Sequence, residues 1–163
     1  MVVGASRDFL LVGLLTSAVL GFLWGPIAGH LSDRIGRKRM YMIAATISGL
    51  FGFIYFTLLD TRSPMLMLVA ISLSSPVIMN LYGPQAALIA ESFTPRLRYS
   101  GAGLGYQLAS IVAGGPAPFI ATALFAAFHS GYAIAFYILG CAVISIVATS
   151  MLTDHTNKDI SRD

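Results

Sequence analysis

Four stretches of the chain contain no Asp, Glu, Lys or Arg: Phe9–Ser32, Met40–Leu59, Ser63–Ala90 and Tyr99–Thr153. The charged residues are crowded into the short turns between them. A helix crosses the bilayer core with about 20 consecutive, predominantly apolar residues, so each of the first three stretches predicts one membrane span. The fourth is too long for one span, since as a single helix it would reach about 80 Å at ~1.5 Å per residue. Phe128-His129-Ser130-Gly131, polar and Gly-containing, is its natural break. The pattern predicts an all-α fold, a polytopic membrane bundle with spans near 9–30, 40–60, 64–90, 100–127 and 132–152, followed by a tail at 153–163.

A helical bundle in water would show a polar stripe on each helix, and these stretches carry none wide enough. Composition points the same way: 10% of the 163 residues are charged, against about 25% in a soluble domain, and the mean hydropathy is +0.79. The first stretch is not a signal peptide, because its apolar run exceeds the roughly 7–15 residues of a signal core and no small-residue cleavage site follows.

Basic residues set the orientation. Arg34, Arg37, Lys38 and Arg39 follow the first span, Arg96 and Arg98 follow the third, and Lys158 and Arg162 lie in the tail. With five spans these all fall on one side, leaving only Arg7 and Arg62 on the other. The positive-inside rule places the richer side in the cytoplasm and the N-terminus outside. An N-terminus outside with no preceding helix to carry it there, and Arg7-Asp8 beside the first span, suggest that something upstream is missing. The same clustering in loops accounts for the pI of about 9.2 through lipid and orientation, and excludes nucleic acid as a partner.

The lone cysteine, Cys141, can form neither an internal disulfide nor a Cys-based metal site. His30, His129 and His155 have no metal-ligand spacing. No phosphate-cradling Gly-Lys-Ser/Thr loop occurs, and no nucleophile, base and acid converge on one span. The reading is therefore no enzyme, no metal and no cofactor.

The strongest local signal is Gly29-His30-Leu31-Ser32-Asp33-Arg34-Ile35-Gly36-Arg37-Lys38-Arg39. Its shortness forces two spans into an antiparallel pair, and Gly36 supplies a position that can take positive φ. Asp33, among four cations, can pair with Arg or face a helix N-terminus, contacts that could hold one closed arrangement of two bundles. A positive-inside anchor touching anionic lipid explains the same residues equally well.

This motif resembles the cytoplasmic-loop signature of the major facilitator superfamily, matched at Gly29, Leu31, Asp33, Arg34, Gly36, Arg37, Lys38 and Arg39. That family carries the signature between spans two and three and again between eight and nine. Four spans and a polar tail follow it here, which matches the second position and makes the chain equivalent to spans eight to twelve. The resemblance implies that Asp33, Arg34 and Arg37 stabilise an outward-open state through ion pairs. Tyr82-Gly83-Pro84-Gln85 through Glu91-Ser92-Phe93, then Arg96-Leu97-Arg98-Tyr99-Ser100-Gly101, Gly105-Tyr106-Gln107 and Gly114-Gly115-Pro116-Ala117-Pro118, look like the metabolite:proton symporter branch. That branch carries organic acids, such as shikimate, dicarboxylates and citrate, and zwitterions such as betaine and proline. The sugar-porter tail elements are absent, with Asp154-His155-Thr156 in their place.

Gly and Pro in spans three and four suggest interrupted helices lining a midplane site, although glycines also serve close packing. Tyr82 with Gln85, and Tyr106, Gln107 and Ser110 together, form two faces expected to line a cavity. Gly21, Gly25 and Gly29, spaced by four, predict an internal helix contact, and Asn80 lies roughly opposite Tyr82. Glu91 ends its span, and its expected role is an interfacial ion pair with Arg96 or Arg98 rather than proton carriage. The function expected is transport of a small metabolite with a proton by alternating access. The chain alone is expected to be inactive unless it meets a complementary N-terminal half. The competing class is a stand-alone membrane interaction protein without transport activity.

Overall fold

The computed structural model describes residues 7–94 and 96–152; the tail expected at 153–163 lies outside these. Every regular element is helical: α1 (Arg7–Ile35), α2 (Arg37–Asp60), α3 (Pro64–Glu91), α4 (Arg98–Ala109), α5 (Ala117–Phe128) and α6 (Gly131–Met151), with a π-helical turn, Ser110–Gly114, between α4 and α5. Taking Arg98–Phe128 as one interrupted helix, five helices are long and apolar enough to cross a membrane. The protein is a multi-pass membrane bundle.

Its packing is what hydrocarbon as a solvent selects. Many buried positions are small or weakly polar, such as Ala28, Ala44, Ala70, Ala135 and Ser17, beside a few larger ones such as Met40, Met67, Ile71 and Leu88, while Phe22, Leu15, Phe119, Ile144 and most other large apolar residues face outward. Lipid tails solvate Leu and Phe as well as a core would, so helices associate through close backbone approach instead. α1 packs on α3, α3 on α2, and α2 on α6.

The α1–α3 seam is lined by Gly13, Ser17, Gly21, Ala28 and Ser32. The Ser17 hydroxyl is within 2.7 Å of the Ser75 hydroxyl and 3.2 Å of that of Ser74. A Cβ on Gly21 would stand 2.8 Å from the Ser75 Cβ, whereas Gly25 and Gly29 face open space. Of the three glycines of the expected contact, Gly21 points into it, while Gly29 takes part only through its backbone N, 3.3 Å from where a Cβ on Gly83 would stand. A four-residue repeat drifts by about 40° per step on a 3.6-residue helix, which turns Gly25 and Gly29 away; the seam continues at Ala28.

On the α2–α6 side, Gly49 meets Ala142 and Leu139, and Gly52 meets Ala135. Phe53 and Phe136 pack edge to face with centroids 5.0 Å apart. Thr57 and Tyr132 approach to 3.3 Å through their hydroxyls.

The Gly and Pro residues act differently in the two helices expected to be interrupted. α3 runs unbroken through Pro76 and Pro84. Pro84 is fully buried, and a Cβ at Gly83 would lie 3.3 Å from Ala28, so Gly83-Pro84 brings α1 and α3 together rather than parting a helix. The fourth span does break: Ser110–Gly114 widens to a π turn, the Gly115 N–H bonds the Ser110 carbonyl at 3.0 Å, and α5 begins after Pro116. Pro has no N–H to continue the helix. No residue of α4, the π turn or α5 is buried.

The last break falls at the expected place. α5 ends at Phe128, His129 is left-handed at φ 49°, and Ser130 caps α6 by accepting from the Tyr132 N–H at 3.2 Å.

Candidate functional site

The arginine-rich turn is tighter than a loop. α1 continues through Asp33 and Arg34 to Ile35, and α2 starts at Arg37, so Gly36 alone joins them. Its φ of 102° and ψ of 131° lie where an L side chain is strained, which is why glycine stands there. The Gly36 N–H bonds the Ser32 carbonyl at 3.0 Å, and the Gly36 carbonyl accepts from Met40 at 2.9 Å.

This reversal puts Arg37 among three helix ends. Its Nε and Nη2 donate to Asp33 Oδ1 at 3.3 and 3.2 Å, and its Nη1 donates to Glu91 Oε1. The Asp33 side chain is 61% exposed and that of Glu91 only 11%. Taken singly, each charge opposes a helix dipole: two carboxylates sit in C-terminal turns and a guanidinium at an N-terminus. Together they compensate one another, so the cluster holds only while the three ends stay in contact.

Lys38 makes a second tie. Its Nζ donates to the Ser150 carbonyl at 2.8 Å and to the Leu152 carbonyl, at the end of α6. Those carbonyls lack helical partners, and a cation there also offsets the dipole. Consecutive residues thus bind α2 to α1 and α3 on one side and to α6 on the other. Arg34 and Arg39 are exposed, and neither forms an ion pair with a described residue. The Gly29 carbonyl accepts from the Ser32 hydroxyl at 2.8 Å.

The expected pairing of Glu91 with Arg96 or Arg98 gives way to Arg37. Arg37 opens α2, which packs against α3, whereas Arg96 lies in the turn after α3 and Arg98 opens the next helix. Arg96 is exposed; Arg98 is half-buried, with Nε and Nη2 buried and without a hydrogen-bond partner.

The faces expected to line a cavity do not meet around one among the described residues. Tyr82 is 53% exposed and Gln85 half-buried on α3, while Tyr106, Gln107 and Ser110 lie exposed along α4 and the π turn. Near its start α4 meets the connection from α3, where a Cβ on Gly101 would stand 2.5 Å from the Phe93 ring.

The reading from sequence missed Trp24. Its indole Nε1 donates to Asn80 Oδ1 at 3.1 Å, and Asn80 Nδ2 donates to the Pro76 carbonyl at 2.9 Å. Each partner lies about three turns from the arginine-rich end of its helix, so this polar bridge sits at mid-depth. The available signal was equal depth: the single tryptophan and an Asn at matching distances from charged span ends.

A model of the family described as Major Facilitator Superfamily matches residues 3–162. The chain is 36% identical over 154 residues to the shikimate transporter of Escherichia coli (strain K12), covering 93% of this chain and 35% of that protein. It is 34% identical over 145 residues to the inner membrane metabolite transport protein YhjE of the same organism, covering 88% and 32%. It is 33% identical over 121 residues to a citrate-proton symporter of Klebsiella pneumoniae, covering 74% and 27%. The chain spans about a third of the length of these relatives. No solved structure matches it.

Proposed function

We propose, because this chain belongs to the Major Facilitator Superfamily, that it forms spans eight to twelve of a transporter for a small organic acid or zwitterion. Transport of small metabolites is the common activity named for its relatives, and two of those named are citrate-proton symporters. In this reading two half-bundles rock about a midplane site, the arginine-rich turn lies in the cytoplasm, and the N-terminus lies outside. The membrane is the bacterial inner membrane.

The observation that carries the reading is the single guanidinium of Arg37 joined to Asp33 and Glu91. A cluster whose charges compensate only in one arrangement of helix ends suits a latch that forms and breaks as the halves move. Asp33, Arg37 and Glu91 serve as its elements, with Lys38 as the tie to α6. Proton coupling, if carried by a carboxylate in the membrane, uses one outside these spans, since no Asp or Glu lies within the span interiors. Tyr82, Gln85, Tyr106, Gln107 and Ser110 stay as cavity-lining candidates that the complementary half would enclose.

The test is uptake of radiolabelled shikimate, citrate and betaine by cells carrying either the open reading frame extended upstream of Met1 or this chain alone. Accumulation with the extended form only supports the proposal. Accumulation by the 163-residue chain alone would overturn its incompleteness, and accumulation by neither form would favour an interaction protein without transport activity. Cysteine substitutions at Lys38 and Arg62, with Cys141 replaced, report orientation: a membrane-impermeant maleimide added outside should label position 62 and spare position 38.

A further inference from the structure

At the end of the bundle opposite the arginine-rich turn, a pocket of about 450 Å³ opens between the α2–α3 and α5–α6 connections. Asp60, Arg62 and His129 line it, and no side chain of the three makes a hydrogen bond or ion pair with another described residue. Arg62 at φ 54° and His129 at φ 49° are the non-glycine residues with left-handed backbone among those described. Such a conformation is strained for a side chain with a Cβ and persists where the surroundings enforce it. Both instances lie on the wall of one pocket.

Beneath the charges the wall turns apolar, with Phe56, Leu59 and Phe125. Gly131 makes room there, since a Cβ would run into the Phe56 ring. Two further cavities each share one lining residue with this pocket. A groove of about 740 Å³ runs along α5 and α6 past Ile120, Leu124, Phe128 and Phe136, and shares Ser130 with the pocket. A cavity of about 380 Å³ lies between α2, α3 and α6, lined by residues including Phe51, Tyr55, Val77 and Ile138, and shares Phe56. From the shared residues, Ser130 and Phe56, their linings run toward mid-span, to Tyr137 and Ser48.

We propose that this composite site binds one diacyl phospholipid with a zwitterionic, primary-ammonium headgroup. The phosphate lies between Arg62 and His129, near the N-terminus of α6, where the helix dipole favours negative charge. The ammonium pairs with Asp60, and each apolar cavity takes one acyl chain. The charged rim stands where the apolar spans end, the depth of lipid headgroups, and the aromatic walls descend from it as acyl chains do. An anionic headgroup without an ammonium would leave Asp60 facing a phosphate, which disfavours it. The proposal needs the membrane bundle but not the transport activity.

The experiment uses the delipidated 163-residue chain in detergent. Thermal unfolding and native mass spectrometry are followed during titration with dioleoyl phosphatidylethanolamine, dioleoyl phosphatidylglycerol, dioleoylglycerol and soluble phosphoethanolamine. Phosphatidylethanolamine should be retained at one per chain and raise Tm most, and the last two should do neither. Asp60→Asn should lower the preference for ethanolamine over glycerol headgroup by roughly threefold, the scale of an exposed ion pair. Arg62→Gly, which keeps the left-handed turn and removes the cation, should weaken both phospholipids alike. Leu124→Trp, which fills the α5–α6 groove, should reduce retention without changing headgroup preference. Equal affinity for the two headgroups in the unaltered chain would overturn the proposal. So would unchanged retention in Arg62→Gly with helical content intact by circular dichroism.

Discussion

Arg37, the first residue of α2, donates a hydrogen bond to Glu91, the last residue of α3, at a separation of 54 residues. The same guanidinium holds Asp33 on α1. Glu91 is the more buried carboxylate, so the energetic weight falls on that pair; the exposed Asp33 contact is screened.

Glu91→Ala should therefore cost about 1–3 kcal/mol of stability by leaving a half-buried guanidinium short of its acceptor. Arg37→Gln should cost a similar amount, because two carboxylates then face helix C-termini without a cation. A double-mutant cycle read by thermal unfolding should give a coupling of at least about 0.5 kcal/mol, the lower limit for directly interacting residues. Strict additivity would show that the contact contributes nothing. Arg98→Gln should leave the coupling unchanged.

Lys38→Met removes the ligand of the Ser150 and Leu152 carbonyls while retaining most of the aliphatic stem. The loss should be about 0.3–1 kcal/mol, the range for a charge at a helix terminus. It should appear as faster amide hydrogen exchange in the last turn of α6, with α1 unaffected. Protection unchanged at residues 147–152 would rule out the tie.

Gly21→Leu and Gly25→Leu separate the observed seam from the simple four-residue repeat. The first drives a side chain into Ser75, and overpacking of that kind costs about 1–3 kcal/mol. The second meets open space and should leave Tm nearly unchanged. Equal losses at the two positions would mean that all the glycines face the α1–α3 contact.

Asn80→Leu removes the acceptor of the single indole. Trp24 emission should shift to shorter wavelength in the variant, and Trp24→Phe should cost about 0.5–1.5 kcal/mol for the lost hydrogen bond. An emission spectrum indifferent to Asn80 would place the indole elsewhere.

Gly36 and the His129 break were legible because each is a local backbone demand: one glycine at a sharp reversal, one polar interruption in a long apolar run. The Arg37–Glu91 pair was half legible. Glu91 reads as an interfacial ion-pair residue from its place at a span end, but its partner does not, since the choice between Arg37 and Arg98 depends on which helix packs beside α3. Trp24 was overlooked, and Asn80 was placed only as lying opposite Tyr82, for the same reason: their hydrogen bond exists only because α1 and α3 cross in one register. Pro84 misled in the other direction. It reads as an interruption, yet α3 absorbs it where Gly83 lets α1 approach.

The chain's pattern of charge and hydrophobicity by itself determined that five apolar helices form and where they turn. Length and polarity decide what can sit in a bilayer, and both are properties of consecutive residues. Only the tertiary structure decided which small residues meet, which carboxylate Arg37 holds and where Lys38 ends. Those outcomes depend on helix rotation and neighbour order, which apolar stretches of nearly uniform hydrophobicity do not encode in any local pattern.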